Sequence, residues 1–204
     1  GIPFFGARVA IQGFGNVGSW AHQFLEEAGV KIVAVSDSRG GTHKKTGLWF
    51  NEVAAYKKKT GSIINLPGGE PVTNEEILEL DVDILVPAAL EDVITEKNAR
   101  KIKAKLVAEG ANGPTTPEAD DILYKNNVTV IPDILANSGG VSTSYLEWVQ
   151  NLQHLYWSAE EVDQRLKSIM TRAFAEVWRT TNEHNEDMRT GAYIYEIGKV
   201  REAM

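Results

Sequence analysis

The segment Gly13-Phe14-Gly15-Asn16-Val17-Gly18 reads G-x-G-x-x-G, and its surroundings constrain the fold more than any other stretch of the chain. It follows the apolar run Val9-Ala10-Ile11 and opens a stretch of helical character, Ser19 to Ala28. A second apolar run, Ile32-Val33-Ala34-Val35, then ends in Ser36-Asp37. Alone, the motif specifies only a tight turn. The order strand, glycine turn, helix, strand, acid specifies a dinucleotide-binding βαβ unit. Gly13 admits backbone angles closed to other residues, so the strand can reverse into the helix. Gly15 leaves room for a pyrophosphate beside the backbone, and Gly18 lets the helix pack close to the strand. The helix N-terminus offers unpaired N–H groups and a partial positive charge, which suits a diphosphate. Asp37, 19 residues after Gly18, is spaced to accept hydrogen bonds from a ribose 2′-OH.

The alternation continues downstream. Gly40-Gly41 and Gly47 bracket a small hairpin or loop, and 51–60 has helical character. Asn65 to Gly69 is a loop. Thr73-Asn74-Glu75-Glu76 is a capping box that predicts a short helix. Strands are predicted at 83–87, 106–108 and 128–132, with a helix-like stretch from Ile94 to Lys103. Another helix starts where Thr116 caps and Pro117 takes the first position. Strands separated by helix-length segments imply a mostly parallel sheet with helices on both faces, a Rossmann-like α/β fold. Strand signals stop after Asn137. Ser158-Ala159-Glu160-Glu161 is a second capping box. The residues Val162, Leu166, Ile169, Met170, Ala173, Phe174 and Val177 then keep the rhythm of one long amphipathic helix. Their stripe reads as core packing. A last helix runs from Met188 toward Met204. The expected organisation is one dinucleotide-binding domain over 1–204, with a Rossmann-like core at 1–136 and a helical extension at 137–204. Both ends are abrupt, and the chain is expected to be part of something longer.

Composition narrows the function classes. A net charge of −7 disfavours nucleic acid and anionic membranes as partners. The Lys44-Lys45 and Lys57-Lys58-Lys59 clusters read as solvated faces. No run of 18 apolar residues suggests a membrane span. The absence of cysteine excludes disulfides and thiolate chemistry and fits a reducing compartment, so a cytoplasmic location is expected. His22, His43, His154 and His184 are scattered and read as structural or surface residues, and no metal site is expected. No internal repeat breaks the pattern.

In open α/β sheets, ligands sit beyond the carboxyl ends of the strands. The residues there are Gly13 to Gly18, Asp37-Ser38-Arg39, Ala88-Ala89 and Asn112-Gly113. A further stretch, Asn137-Ser138-Gly139-Gly140-Val141, follows the last strand. Asn112 and Asn137 carry short amides that donate and accept at once, as the carboxamide and ribose of a nicotinamide require. An Asn-Gly pair also makes a simple turn, so Asn112 is open to both readings.

Several of these segments resemble glutamate dehydrogenase and its leucine, phenylalanine and valine relatives. They are the glycine motif, Val35-Ser36-Asp37-Ser38, Pro87-Ala88-Ala89-Leu90, 109–119, Pro132 to Asn137 and Gly139 to Trp148. The resemblance spans the chain but covers only that family's cofactor domain. The glycine-rich lysine motif of its N-terminal domain is absent, so no catalytic residue is expected here. The resemblance implies the pyrophosphate on Gly13, Phe14, Gly15, Asn16, Val17 and Gly18, and the adenosine ribose on Asp37 and Ser38. It implies the adenosine side against Ala88 and Ala89, and the nicotinamide half near Asn112 and Asn137. Val141 and Ser144 would reach the substrate, and Ser144 followed by Tyr145-Leu146-Glu147-Trp148 favours glutamate over leucine or phenylalanine.

The implied activity of the full enzyme is oxidation of L-glutamate to 2-oxoglutarate and ammonia. The isolated chain would bind cofactor without turning over. Its partners would be the missing N-terminal domain and, in the full protein, a homohexamer. Asp37 favours NAD, while Ser38, Arg39 and Lys44 lie close enough in sequence to screen it and leave NADP open. Two other readings stand beside this one: a cofactor domain acting on leucine, valine or phenylalanine, and a non-catalytic NAD-binding module.

Overall fold

In the computed structural model, which describes residues 2–204, the apolar runs become seven strands. They are β1 (Arg8–Gln12), β2 (Lys31–Asp37), β3 (Gly40–His43), β4 (Glu70–Val72), β5 (Ile84–Pro87), β6 (Leu106–Ala108) and β7 (Thr129–Ile131). Gly1, which the sequence reading places just ahead of the first strand, lies outside the described residues. One sheet holds the strands in the order β4-β3-β2-β1-β5-β6-β7. β2, β1, β5 and β6 run parallel, while β3 and β4 extend the β2 edge antiparallel. The sheet reverses direction of growth at β1, which puts the first βα turn at the topological switch point. The expected small excursion after Asp37 is the β2–β3 hairpin, with Asp37 paired to Gly40.

The central strands are buried on both faces, which explains their nearly continuous apolar sequence. Side chains alternate along β1. Val9 and Ile11 join one apolar cluster with Ile84, Val86, Phe14, Leu48 and Val53, while Ala10 joins the other with Leu85, Ile77, Ile94 and Leu123. The first cluster is capped by α1 (Asn16–Glu27) and α2 (Phe50–Thr60), and the second by α3 (Pro117–Lys125) and short 3-10 turns. Fully burying one such aliphatic side chain contributes about 1.5–3 kcal/mol. Thr116 caps α3 as expected, accepting from the Ala119 N–H at 3.3 Å.

Two crossovers depart from expectation. The Thr73–Glu76 capping box forms, with reciprocal bonds of 2.9 and 3.1 Å, but opens only the 3-10 turn Glu76–Glu79. Between β5 and β6 the stretch from Ile94 to Lys103 holds a single 3-10 turn, Ala99–Lys101. The reason is local. The Asn98 side chain accepts from Thr95 N–H and donates to the Val93 carbonyl, each at 2.8 Å, and so competes with a helical ladder.

The chain divides into two compact units at Val130/Ile131, ahead of the expected 136/137 boundary. The second unit is helical: α4 (Asp133–Ala136), α5 (Gly139–Gln153), α6 (Ala159–His184) and α7 (Met188–Ala203). Its core gathers Leu135, Val177, Met188 and Ala192. Arg189 of α7 pairs with Asp133 of α4 at 3.2 Å. The Ser158 capping box of α6 forms as expected. The apolar stripe of α6 is less buried than its periodicity implies. Of its seven residues only Val177 is fully buried, and Phe174 stacks on Trp178 with both rings exposed.

Candidate functional site

The glycine turn sits where β1 hands the chain to α1. Gly13 has φ +103°, a region that favours glycine, and a Cβ there would lie 2.8 Å from the Ala88 carbonyl oxygen. Its N–H donates to the Ser36 hydroxyl at the end of β2, at 3.2 Å. The ends of β1, β2 and β5 are thereby drawn together. A Cβ on Gly18 would lie 2.0 Å from the Gly13 carbonyl oxygen, so the first turn of α1 packs directly on the loop. A Cβ on Gly15 would meet nothing within 4 Å. The backbone there faces open space.

Helix α1 begins without a side-chain cap, and no acid occupies its first turn. Its first intrahelical bond in the loop region is Ser19 N–H to the Gly15 carbonyl, at 3.0 Å. The N–H groups ahead of it have no intrahelical acceptor, which is the arrangement that binds phosphate.

A cleft of about 730 Å³ opens beside this turn. Gly13, Phe14, Gly15, Asp37, Ser38, Ala88 and Ala89 line it, so seven of the expected cofactor residues converge. Asn16, Val17 and Gly18 form the adjoining first turn of α1. Asn112 follows β6 and is exposed. Asn137, Val141 and Ser144 belong to the second unit. Asn137 caps the C-terminus of α4. Val141 and Ser144 lie on exposed positions of α5, whose first turn includes Gly139 and Gly140 rather than leaving them in a loop. The Ser144 hydroxyl donates to the Gly140 carbonyl one turn back, at 3.2 Å.

Asp37 is more deeply engaged than a free ribose reader. Its side chain belongs to a residue only 8% exposed. One carboxylate oxygen accepts from Arg39 N–H at 2.9 Å and from the Ser62 hydroxyl at 3.0 Å; the other accepts from Ile63 N–H at 2.9 Å. A carboxylate offers about four acceptor positions, so one remains for a ligand hydroxyl. Lys44, expected as a possible screen for Asp37, instead pairs with Glu52 at 3.6 Å.

Lys57, Gln12 and Asn74 are among the cleft residues that the sequence reading does not assign to the site. Lys57, read as part of a solvated face, turns inward. Its ammonium donates to the Phe14 carbonyl at 2.6 Å and sits 5.4 Å from the centre of the Phe14 ring. Lys58 and Lys59 are exposed, as expected. Gln12 and Asn74 also line the cleft. Gln12 donates to the Asn74 carbonyl at 3.0 Å, and the Asn74 amide donates to the Asp37 carbonyl at 2.9 Å. The signal for Lys57 was available in its helical spacing, since it falls four residues after the buried Val53. Nothing local marks Gln12 or Asn74, whose bonds span 62 and 37 residues.

No group of three or more His, Cys, Asp or Glu among the described residues is arranged to hold a metal ion. Among the same residues, no helix is long and apolar enough to cross a membrane.

Comparison with known proteins identifies the family and the fold. The family model for Glutamate/Leucine/Phenylalanine/Valine dehydrogenase matches residues 2–204. A glutamate dehydrogenase of Thermotoga maritima is 55% identical over 95% of this chain, a match covering 47% of that protein. A cryptic catabolic NAD-specific glutamate dehydrogenase of Bacillus subtilis is 46% identical over 100% of the chain and 47% of its own length. The crystal structure of a hetero-hexameric glutamate dehydrogenase from Thermus thermophilus, in a leucine-bound form, superposes with a TM-score of 0.93. It is 36% identical, with the match covering 100% of this chain and 48% of that one. The chain thus spans about half the length of the relatives it matches.

Proposed function

Because this chain belongs to the glutamate, leucine, phenylalanine and valine dehydrogenase family, we propose that it is the dinucleotide-binding part of an NAD-dependent glutamate dehydrogenase. The observation that carries this reading is the cleft at the topological switch point, where an uncapped helix N-terminus, a side-chain-free Gly15 and the Asp37 carboxylate meet. A dinucleotide fits that set chemically. The N–H groups of α1 suit a diphosphate, and the space above Gly15 lets it approach. The remaining acceptor position of Asp37 suits a ribose hydroxyl. Names of relatives from Bacillus subtilis and Clostridioides difficile specify NAD.

When bound, nicotinamide supplies the hydride chemistry; the protein supplies geometry and electrostatics. In this reading Gly13 to Gly18 hold the diphosphate, and Asp37 and Ser38 hold the adenosine ribose against Ala88 and Ala89. Asn112 and Asn137 orient the nicotinamide half. Val141 and Ser144 serve the substrate, with the Ser144 hydroxyl directed to its side-chain carboxylate. The complete protein would oxidise L-glutamate to 2-oxoglutarate and ammonia and would assemble as a homohexamer. The residues that move protons would lie in the other half of the protein, so this chain alone binds cofactor and does not turn over.

The test is a fluorescence titration of this chain with NADH, using its five tryptophans as donors. Saturable quenching is expected, with no glutamate oxidation by the same sample. Absence of binding would reject the cofactor assignment, and turnover would reject the division of labour. Assaying the complete protein with glutamate and leucine decides between the substrates of the family.

A further inference from the structure

We propose that the chain carries a second small-molecule site, at the opposite end of β1 and β2 from the glycine turn, and that its ligand is a single aromatic ring carrying a short alkylammonium arm. A cavity of about 310 Å³ lies there, formed by the residues that lead into β1 and β2 and by the loop after β3. That volume is at the small end of the range that holds small molecules. The cavity exists because three of its edges carry no side chain. Gly6, Gly29 and Gly47 line it, all with positive φ. A Cβ on Gly6 would meet nothing within 4 Å, so that edge is open. A Cβ on Gly29 would lie 2.5 Å from the Phe5 ring, so the ring is seated directly over the glycine.

The walls select an aromatic ring. Phe5 and Trp49 both line the cavity, yet they remain 82% and 65% exposed. A flat apolar partner takes such rings out of water and adds ring–ring contact. Val30, Ile32 and Leu48, each buried, add aliphatic surface. Charge selects the arm. Glu26 is the one acid among the lining residues. Its Oε2 accepts from Phe50 N–H at 2.7 Å, which fixes the carboxylate, while Oε1 has no partner among the described residues. Lys31 also lines the cavity, but through its stem: a Cβ on Gly47 would lie 3.4 Å from Lys31 Cγ, and the residue is exposed. A lysine placed in this way lends apolar surface and keeps its charge in water. A ligand ammonium therefore gains a charge-assisted bond to Glu26 and attraction to the Phe5 and Trp49 faces. A ligand carboxylate would be repelled by Glu26.

The experiment follows glycine amide signals by NMR while this chain is titrated with phenethylamine, phenethyl alcohol and phenylacetate. Glycine amides report both ends of the sheet, with Gly6, Gly29 and Gly47 at the cavity and Gly13, Gly15 and Gly18 at the turn. Phenethylamine is expected to shift the first three saturably and leave the last three in place. The alcohol, of the same shape without the charge, should bind about threefold more weakly, and phenylacetate more weakly still. Glu26→Gln keeps an acceptor for Phe50 N–H and should bring the affinity for the amine down to that for the alcohol. Trp49→Ala removes an exposed ring and should weaken amine and alcohol alike, by about fivefold or more. The ranking of the three probes on the wild-type chain stands whether or not either variant folds. Four results would each overturn the proposal: no saturable shift at Gly6, Gly29 and Gly47; shifts confined to the glycine turn; phenylacetate or the alcohol bound as tightly as the amine; or a folded Glu26→Gln or Trp49→Ala that binds the amine like the wild-type chain.

Discussion

The imidazole of His22, on α1, donates from Nε2 to the carbonyl oxygen of Leu48 at 3.0 Å, and both residues are buried. The bond ties the helix that carries the phosphate-binding turn to the segment that leads into α2. Edge contacts of the ring with Phe14 and Phe50, each with centroids 5.8 Å apart, complete the joint. Burial holds the imidazole below its ordinary pKa of 6.5, against smaller opposing effects of the Leu48 carbonyl and the Glu26 carboxylate. The folded chain therefore keeps His22 neutral at a pH where the unfolded chain already takes up a proton. Between the folded pKa and 6.5 the unfolded state holds more protons, so stability is complete above 6.5 and declines as pH falls below it. His43, lowered chiefly by partial burial, acts in the same direction. Urea denaturation should show a lower midpoint at about pH 5.5 than at about pH 7.5. Replacing His22 by Phe should flatten that dependence while costing about 1–2 kcal/mol at the higher pH, because the buried Leu48 carbonyl loses its donor. A midpoint that rises toward lower pH would contradict the assignment.

Asp37 has a structural role beside any ligand role. Its carboxylate receives Ile63 N–H and the Ser62 hydroxyl, both from buried residues. Asp37→Ala would strand these donors and should destabilise the chain by about 2–4 kcal/mol. Asp37→Asn keeps one acceptor oxygen and should lose less. Thermal denaturation of both variants, read before any nucleotide titration, checks this. If Asp37→Ala melts with the wild-type chain, the carboxylate is serving the ligand alone.

These two residues show where sequence reading reaches and where it stops. The β1–turn–α1–β2 unit was legible because its chemistry is local: a positive-φ glycine, a small residue at each close approach, an acid at the next strand end. Asp37 was found by spacing, but its donors Ser62 and Ile63 lie 25 and 26 residues away and carry no pattern of their own. Lys57 was hidden by its neighbours Lys58 and Lys59, since a run of like charges reads as a solvated face although helical spacing turns one of its members inward. The 94–103 crossover looked helical by composition until the Asn98 side chain captured the backbone bonds. Periodicity identified the apolar face of α6, but periodicity cannot say how much of a face is covered, and Phe174 remains 40% exposed.

In the second unit, Gly191 of α7 faces Thr181 of α6 at a distance that leaves no room for a side chain. A Cβ on Gly191 would lie 2.1 Å from Thr181 Oγ1 and 3.1 Å from Thr181 Cα. Rotation about χ1 displaces the hydroxyl, but the Cα can yield only if the helices separate. Gly191→Ala should therefore lower stability by about 1–3 kcal/mol, despite the better helix propensity of alanine. Thr181→Ala in the same background should recover part of the loss, because it removes the nearer clash and a buried hydroxyl that has no hydrogen-bond partner among the described residues. A double-mutant cycle by urea denaturation measures the coupling. An additive result would mean that the helices adjust without touching at this point.

Gly15 and Gly18 separate ligand space from packing space within one turn. Gly15 has an ordinary φ of −91°, and a Cβ there meets no atom within 4 Å. Gly15→Ala should leave stability within about 0.5 kcal/mol of the wild-type chain. The added methyl projects into the space assigned to the diphosphate, so NADH affinity should fall about tenfold or more. Gly18 is the opposite case. A methyl there would strike the backbone carbonyl of Gly13, and since a Cβ has no rotamer to escape by, the backbone must move. Gly18→Ala should cost about 1–3 kcal/mol and weaken NADH binding as a consequence of the displaced turn. Melting curves and NADH titrations on the two variants give the contrast directly. If Gly15→Ala binds NADH like the wild-type chain, the diphosphate does not pass over this backbone, and the open space beside Gly15 has another use.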